Sequence, residues 1–206
     1  KGTDVAKTYS IQAIVKVDDQ HGGCSSITST PVEVRVKEAP IAPTIPQPSN
    51  TSICEGDKVE LSVTPLPGLS YLWTGGLNSN TSNIYNATTS GTYSLTVTNS
   101  NNCSVESLNK IAITVNKNTD KPQLINSLGT TTSVCSNREL TLSVDNDPAL
   151  TYQWYDENTG ISGATSSQYK VERTGKYYLE VRNANGCKNL SAVTQIVVNP
   201  SPITPT

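Results

Sequence analysis

The chain has 206 residues, a net charge of −2 and only 16% charged residues, so it has neither the basic surface of a nucleic-acid-binding protein nor the polybasic patch that binds anionic membranes. Methionine and phenylalanine are absent, while threonine, valine, isoleucine and tyrosine are frequent, a composition that favours an all-β protein. No apolar run approaches the roughly 18 residues of a membrane-spanning helix, so we expect no membrane insertion.

The sequence repeats itself about every 80 residues. Cys54 and Cys135 open two copies of one pattern, in which a leucine follows after seven residues and a tryptophan after nineteen. A Gly-x-Tyr element then stands in each copy, its glycine twelve residues before Cys103 or Cys187. Matching offsets with little identity between them indicate one structural unit duplicated in tandem.

The first 38 residues match only the last two strands of this unit. Residues 9–17 and 31–36 have the alternation of strands, and the turn Gly22-Gly23-Cys24 lies between them. Because a two-stranded hairpin is marginal alone, we predict that residues 1–38 are the C-terminal hairpin of a truncated repeat, ordered only against a neighbour.

Two complete repeats follow at 39–117 and 118–199, and residues 200–206 are the start of a next repeat or a linker. Alternation with period two predicts strands at 58–63, 70–74, 83–87, 92–98 and 111–115 of the middle repeat. The third repeat has the corresponding strands at 139–144, 151–155, 168–171, 176–181 and 195–198. Short strands with turn signals every 8–12 residues are typical of a β-sandwich.

A tryptophan on the third strand and a Gly-x-Tyr that opens the penultimate strand resemble the immunoglobulin pattern, in which the tryptophan fills the core and the tyrosine forms a corner hydrogen bond. Where antibody domains have two core cysteines, leucines stand here. The predicted fold is therefore a tandem of immunoglobulin-like β-sandwiches with equivalent buried clusters. Their members are Leu61, Trp73, Tyr93 and Leu95, and in the third repeat Leu142, Trp154, Tyr177 and Leu179.

The combination of Cys-x-Gly before a strand, a Tyr-x-Trp strand, Ser-Gly-Thr-Tyr-Ser-Leu-Thr-Val-Thr-Asn and Asn-Gly-Cys resembles the immunoglobulin-like and PKD-like repeats of giant Bacteroidota surface proteins. That family includes relatives of the gliding-motility adhesin SprB, which are exported by the type IX secretion system. The resemblance implies a stalk or adhesin segment on the outer cell surface that gives reach and adhesion. Such modules also decorate secreted enzymes, so the alternative function is an accessory, carbohydrate-binding module.

The five cysteines lack close C-x-x-C spacing, which favours disulfides and an extracellular location over a zinc site. The pairs could form within a repeat, as Cys54–Cys103 and Cys135–Cys187. In immunoglobulin topology, however, the two cysteines of a repeat lie at opposite ends of the sandwich, tens of ångströms apart. We therefore predict a staple between repeats, Cys54–Cys187, which would stiffen the junction. Partners outside this sequence are expected for Cys24, Cys103 and Cys135.

Catalysis requires a nucleophile, a base and an orienting group that meet in one place. His21 is the one histidine, and the adjacent carboxylates Asp18-Asp19 and Asp156-Glu157 lie in turns, where neighbouring side chains point in different directions. We predict no enzyme activity, no catalytic residues and no cofactor.

The sequence Asp145-Asn146-Asp147 offers oxygen ligands in a loop, but the middle repeat has no counterpart, so no metal site is predicted. Tyr152, Tyr155 and Tyr178 are the aromatic residues expected to be exposed for carbohydrate binding. The expected partners are neighbouring repeats of the same chain and, for the alternative function, a surface polysaccharide or other extracellular ligand.

Overall fold

The computed structural model describes residues 7–17, 25–76 and 79–202. The predicted turn around His21, the Asp18-Asp19 pair and Cys24 lie outside the described residues. Within the described part the chain forms β-strands and turns, without a helix and hence without a helical segment that could cross a membrane. This is the all-β, immunoglobulin-like sandwich architecture that the alternation predicts.

The strands, in chain order, are β1 (Lys7–Ile11), β2 (Ile14–Val17), β3 (Ser25–Thr28), β4 (Val32–Val36), β5 (Ser52–Cys54), β6 (Val59–Ser62), β7 (Leu69–Thr74), β8 (Ile84–Ala87), β9 (Gly91–Asn99), β10 (Ser104–Glu106), β11 (Ile111–Asn116), β12 (Ile125–Asn126), β13 (Ser133–Cys135), β14 (Leu140–Ser143), β15 (Thr151–Asp156), β16 (Thr159–Gly160), β17 (Gln168–Val171), β18 (Gly175–Arg182), β19 (Lys188–Leu190) and β20 (Thr194–Asn199).

The chain forms two compact units. The first comprises Lys1–Thr51 and Val59–Ile113, and the second comprises Ser52–Lys58 and Thr114–Thr206. The segment Ser52–Lys58, which carries β5 and Cys54, therefore packs with the C-terminal part of the chain. The sequence period assigns the segment Ser52–Lys58 to the repeat that ends at residue 117, whereas its packing assigns it to the second unit.

In the first unit, two sheets face each other across an aromatic core. One sheet has β9 at its centre, with antiparallel neighbours β7, β10 and β11. The other pairs β6 with β8. The ring of Tyr85, on β8, lies with its centroid 6.0 Å from that of Trp73 and 5.4 Å from that of Tyr93, so the two sheets share one core. The N-terminal strands add two pairs, β1 with β4 and β2 with β3.

The second unit repeats this arrangement. Its larger sheet has β18 between β15 and β20, with β19 and the short β16 at its margins, and its smaller sheet is β12–β14–β17. Tyr169 on β17 takes the place of Tyr85, with ring centroids 5.8 Å from Trp154 and 5.6 Å from Tyr177. The strand β13 lies parallel to β20, as β5 lies parallel to the last residues of β11.

All eight core residues expected from the sequence are buried, with at most 1% of their surface exposed. The indole Nε1 of Trp73 donates to the carbonyl of Ser82, and that of Trp154 donates to the carbonyl of Ser166, each at 2.9 Å. The polar end of each tryptophan is thus satisfied inside the core, which removes the cost of burying an unpaired donor.

The expected tyrosine corner is present in both units. The hydroxyl of Tyr93 donates to the carbonyl of Thr89 at 2.7 Å, and that of Tyr177 donates to the carbonyl of Arg173 at 2.8 Å. Burial, followed by the carboxylate of Asp156, raises the pKa of Tyr177, which keeps its phenol a neutral donor. The glycine two residues before each tyrosine leaves room for a close neighbour. A Cβ at Gly91 would overlap the carbonyl oxygen of Gly75, and one at Gly175 would displace the Asp156 side chain.

A serine in the connection that leads to the last strand of each repeat bonds the long strand before it, a feature that we call the serine bridge. Ser107 accepts a hydrogen bond from the amide of Leu95 at 3.2 Å, while its own amide donates to the Leu95 carbonyl at 2.7 Å. Ser191 and Leu179 make the same two bonds, both at 2.9 Å. Ser29 and Ala13 repeat them at 3.0 and 2.9 Å, so the N-terminal strands have the backbone pattern of the last two strands of a repeat.

The exposure expected for Tyr152 is wrong. Tyr152 is 8% exposed, and its hydroxyl accepts from the amide of Asp147 at 2.7 Å and donates to the Asp147 carbonyl at 3.0 Å. The reason is strand periodicity: residues 152 and 154 are two apart and share a face, so Tyr152 points to the same core as Trp154. Tyr155 and Tyr178 are half-buried on the opposite face.

The tryptophan core predicts a large, position-specific loss of stability. Replacing Trp73 by alanine should lower the free energy of unfolding of the first unit by about 3–5 kcal/mol, because it opens a cavity between the sheets. Leu72→Ala is the matched control, since Leu72 is on the same strand but 41% exposed. Denaturant unfolding followed by far-UV circular dichroism measures both. Similar losses for the two variants would show that the first unit is not built around Trp73.

The serine bridge predicts a loss that hydrophobic burial does not explain. In Ser191→Ala the buried amide of Leu179 loses its acceptor, so the second unit should be destabilised by about 1–3 kcal/mol. Ser162→Ala, at an exposed turn of the same unit, should be close to neutral. Hydrogen exchange of the Leu179 amide gives a local readout, and unchanged protection in Ser191→Ala would contradict the bridge.

Candidate functional site

Cys54 is held at the end of a short parallel strand pair. β5 pairs with β11 in the register Ile53↔Val115 and Cys54↔Asn116. The side-chain amide of Asn116 donates to the Ser52 hydroxyl at 2.8 Å and to the Ile53 carbonyl at 3.1 Å. These contacts fix the strand and its cysteine on the edge of β11.

Cys187 lies in a turn that is organised by one asparagine. The Oδ1 atom of Asn183 accepts hydrogen bonds from the amides of Asn185 and Cys187, at 3.1 and 3.0 Å. The amide of Gly186, a residue with φ of 81°, donates to the Asn183 carbonyl at 3.0 Å, a geometry that suits glycine. The side-chain amide of Asn183 donates to the carbonyl of Lys117 at 3.0 Å, which brings the turn to the end of β11.

A disulfide joins Cys54 to Cys187, with a Cα–Cα distance of 5.5 Å and a sequence separation of 133. This is the pairing that topology predicted, and both cysteines belong to the second compact unit. Cys187 is fully buried. The bond therefore attaches the segment Ser52–Lys58 covalently to the second unit, with which it packs.

The strand end that carries Cys54 and the turn that carries Cys187 each have a second copy, at Cys135 and at Cys103, in which the cysteine is a free thiol. Cys135 ends β13, and the amide of Ser136 donates to the Asn199 carbonyl at 2.7 Å, as the amide of Glu55 donates to the Asn116 carbonyl at 2.9 Å. Among the described cysteines, Cys103 and Cys135 are free thiols, Cys103 half-buried and Cys135 exposed.

Cys103 lies in a turn equivalent to that of Cys187. Asn99 accepts from the amides of Asn101 and Cys103 at 3.0 and 3.1 Å, and its side-chain amide donates to the Glu38 carbonyl at 2.7 Å. The organising asparagines were not predicted from the sequence. Their signal was the recurrence of an asparagine four residues before each of these two cysteines.

A charged cluster supports the Cys187 turn. Glu180 is buried and accepts from Arg182 at 2.7 Å and from Lys188 at 2.6 Å. Arg182 also donates to the Gly186 carbonyl at 3.1 Å, which connects the cluster to the turn. Burial alone raises the pKa of Glu180, but the hydrogen bonds from Lys188 and Arg182 outweigh it, so the pKa lies below its usual value.

Of the residues considered for chemistry, Asp156 and Glu157 lie in the described part of the chain and do not form a catalytic group. Asp156 is occupied by Arg173, with Nε–Oδ2 at 3.1 Å, and by the amide of Lys176 at 3.0 Å, while Glu157 is exposed. In the described part of the chain, no three His, Cys, Asp or Glu side chains are grouped to hold a metal ion.

The second unit has a groove of about 680 Å³ beside the Cys187 turn. Its apolar lining comes from Val144, Leu150, Tyr152 and Val181, and its polar rim from the segment 117–123, Asp145, Asp147, Asn183 and Asn185. On the outer face of the larger sheet, Tyr155 and Tyr178 stack with ring centroids 4.9 Å apart and an angle of 1° between their planes. Neither feature brings together a nucleophile and a base.

The Glu180 cluster predicts a pH-dependent stability. Because the pKa of Glu180 is lowered in the folded protein, its contribution is present above the unfolded-state value of about 4.3 and is lost as the pH falls through the folded-state value. Glu180→Gln should thus destabilise the second unit by about 1–3 kcal/mol near neutral pH, with the difference from the native protein shrinking below about pH 4. The exposed Glu172→Gln is the control. A difference that is independent of pH would contradict the lowered pKa.

Residues 122–202 match a family model, Ig_7, described as "Ig-like domain CHU_C associated". The match supports an immunoglobulin-like domain over these residues. It covers the third repeat expected from the sequence. No curated protein matches the chain.

Several solved structures are similar to the chain at low identity. Extracellular domains 3–5 of Drosophila OTK have 16% identity and a TM-score of 0.36, covering 85% of this chain and 70% of that one. The I-band fragment I67–I69 of titin has 15% identity and a TM-score of 0.33, covering 79% and 67%. Fibronectin(III)-like modules of Clostridium thermocellum CbhA have 12% identity and a TM-score of 0.35, covering 78% and 92%.

These TM-scores carry no argument about function. The fold follows from the strand pairing, the two tryptophan cores and the family match. The family match covers the third repeat alone, whereas the strand pairing shows the same immunoglobulin-like sandwich in both units. The disulfide indicates an extracellular or secreted protein.

Proposed function

We propose that the chain is a non-catalytic repeat segment of a cell-surface adhesin or stalk, of the kind that Bacteroidota export through the type IX secretion system and use in adhesion and gliding motility. Its role is to give reach and to transmit force between a distal contact and the cell. The partners proposed for this role are neighbouring repeats of the same protein.

The observation that carries the proposal is the disulfide across a sequence separation of 133. A force applied to the two ends of the chain passes from Cys54 directly to Cys187 through the covalent bond. The residues between the two cysteines, which include the cores around Trp73 and Trp154, can then unfold but cannot be extended. This property suits a protein that must resist pulling, and it has no evident use in a freely diffusing module.

The sequence pattern agrees with a segment of an array. The serine bridge recurs at Ser29, Ser107 and Ser191, and the organising asparagine recurs at Asn99 and Asn183. Repetition of a closed structural unit extends length without building a catalytic pocket. This supports a stalk as the function of the segment.

A second candidate function is presentation of a polysaccharide by an accessory module of a secreted enzyme. The groove beside the Cys187 turn favours it, because an apolar floor with Tyr152 and a rim of amide and carboxylate groups suits a sugar. A pull-down with a panel of insoluble polysaccharides tests this function. Retention that is lost in Asn185→Ala, on the rim, but kept in Ser162→Ala, in an exposed turn, would favour the accessory module over the stalk.

Single-molecule force spectroscopy tests the stalk. The chain is pulled from its ends in non-reducing buffer and again after reduction, with Cys187→Ser as a variant that cannot form the bond. We expect reduction or the variant to release an additional contour length of roughly 450 Å, from about 3.4 Å for each of the 133 positions. Equal contour lengths before and after reduction would overturn the force-bypass argument.

A further inference from the structure

We call the last strand of each repeat in chain order its closing strand. The closing strand pairs on one side with a long strand, which is β1, β9 or β18, and its other side is its outer edge. The closing strands are β4, β11 and β20. The outer edge of β11 is covered by β5 with the sequence Ser-Ile-Cys, and that of β20 by β13 with the sequence Ser-Val-Cys, both in parallel. Among the described strands, β4 pairs with β1 alone, so its outer edge has no strand.

The register of β4 with the other closing strands follows from the asparagine contacts. Asn99 donates to the Glu38 carbonyl at 2.7 Å, and Asn183 donates to the Lys117 carbonyl at 3.0 Å, which makes Glu38 the counterpart of Lys117. One residue earlier, Lys37 is then the counterpart of Asn116, the residue that pairs with Cys54.

The residue before Lys37 is an exposed valine, Val36. Val36 corresponds to Val115, which pairs with Ile53. Val115 is half-buried, whereas Val36 is 43% exposed. Val32 and Val34 of the same strand are exposed as well. The β4 edge therefore has an apolar position where the other closing strands are covered.

A free thiol lies in the turn that contacts the end of β4, where the sulfur of Cys103 is 3.9 Å from the carbonyl oxygen of Asn101. The side chain of Lys37 donates to the Asn101 carbonyl at 3.5 Å, and the Asn99 contact fixes Glu38, so the end of β4 lies against the turn of Cys103. In the equivalent place, the sulfur of Cys187 is 3.9 Å from the carbonyl oxygen of Asn116. Cys103 is a free thiol, and both Cys103 and β4 belong to the first compact unit.

We propose that the outer edge of β4 and the thiol of Cys103 form an acceptor site for an extended Ser-Ile-Cys or Ser-Val-Cys strand of another immunoglobulin-like repeat. The strand pairs in parallel with β4, its aliphatic residue covers Val36, and its cysteine forms a disulfide with Cys103. The two thiols give up two protons and two electrons to a disulfide oxidant, which is reduced to two thiols. This inference concerns how repeats are joined and does not depend on adhesion.

The charges of the edge match the chemistry of the occupant. Arg35 and Lys37 stand where the β11 edge has Thr114 and Asn116. In the bonded copy an acidic residue, Glu55, directly follows the cysteine. In that copy the Glu55 carboxylate accepts from the amide of Asn118 at 3.1 Å, and the counterpart of Asn118 is Ala39. An occupant of the same sequence would therefore place its carboxylate two residues beyond Lys37, where attraction to the ammonium group strengthens docking at low ionic strength.

The probe is a capped six-residue peptide with the sequence of residues 51–56, Thr-Ser-Ile-Cys-Glu-Gly, activated at its cysteine as the mixed disulfide with thionitrobenzoate. The thiolate of Cys103 attacks the peptide sulfur, the peptide–thionitrobenzoate bond breaks, and coloured thionitrobenzoate leaves with the electron pair. The full chain is used with Cys24→Ser throughout, and Cys135→Ser or Cys103→Ser leaves one free thiol in each variant. A second peptide with proline in place of the isoleucine cannot pair as a strand.

We expect the native peptide to react with Cys103 about tenfold faster than the proline peptide, because docking on β4 raises the local concentration of the reacting sulfur. At Cys135, where β20 is already covered, the two peptides should react equally. Free thionitrobenzoate disulfide reports the intrinsic reactivity of each thiol and corrects for the greater exposure of Cys135. Equal rates of the two peptides at Cys103, or the same preference at Cys135, would overturn the proposal.

Discussion

The covalent bond between Cys54 and Cys187 is the constraint on which the rest of the molecule depends. Hydrophobic packing and strand pairing are reversible, and a single core side chain contributes about 2–5 kcal/mol, whereas a disulfide is broken only by chemistry. The bond is possible because two short local arrangements place the sulfur atoms together. One is the parallel pairing of β5 with β11, and the other is the turn around Asn183.

The two repeats keep their interiors and change their outer faces. Each core has a tryptophan, a corner tyrosine, a second tyrosine from the smaller sheet and a serine bridge. On the outer face, a hydroxyl contact between Thr74 and Ser94, at 2.9 Å, is replaced in the third repeat by the stacked pair Tyr155 and Tyr178. Core positions are constrained by packing density, whereas outer positions are free to vary with the surroundings of each repeat.

The strands with strong alternation were predictable from the sequence, because each has one buried and one exposed face. The predicted strand at 168–171 agrees with β17 residue for residue, and the other strands predicted in the two complete repeats agree to within one residue at each end. The single strand predicted at 9–17 is wrong, because this run is divided into β1 and β2, which pair with different strands. The short edge strands β5, β10, β13 and β19 were not predicted, because three residues are too few to show a period. They include the strands that position Cys54 and Cys135, so their role became visible only from the pairing.

Distance excluded a disulfide within one sandwich, since its two cysteines lie at opposite ends. The pairing Cys54–Cys187 was then predictable from immunoglobulin topology, in which the turn that carries Cys187 faces the preceding repeat. The turn contacts of Asn99 and Asn183 were not, because asparagine is so common in this sequence that no single one stands out. The orientation of Tyr152 was mispredicted by one position of strand period, which is the smallest error that reverses the direction of a side chain.

Peptide mapping of the protein, digested under non-reducing conditions with free thiols blocked, tests the central claim most directly. The account predicts one cross-linked peptide that joins the segment around Cys54 to the segment around Cys187, together with blocked thiols at Cys103 and Cys135. A peptide that joins Cys54 to Cys103 would contradict it, because these two residues could meet only if the strands of the middle repeat were arranged differently.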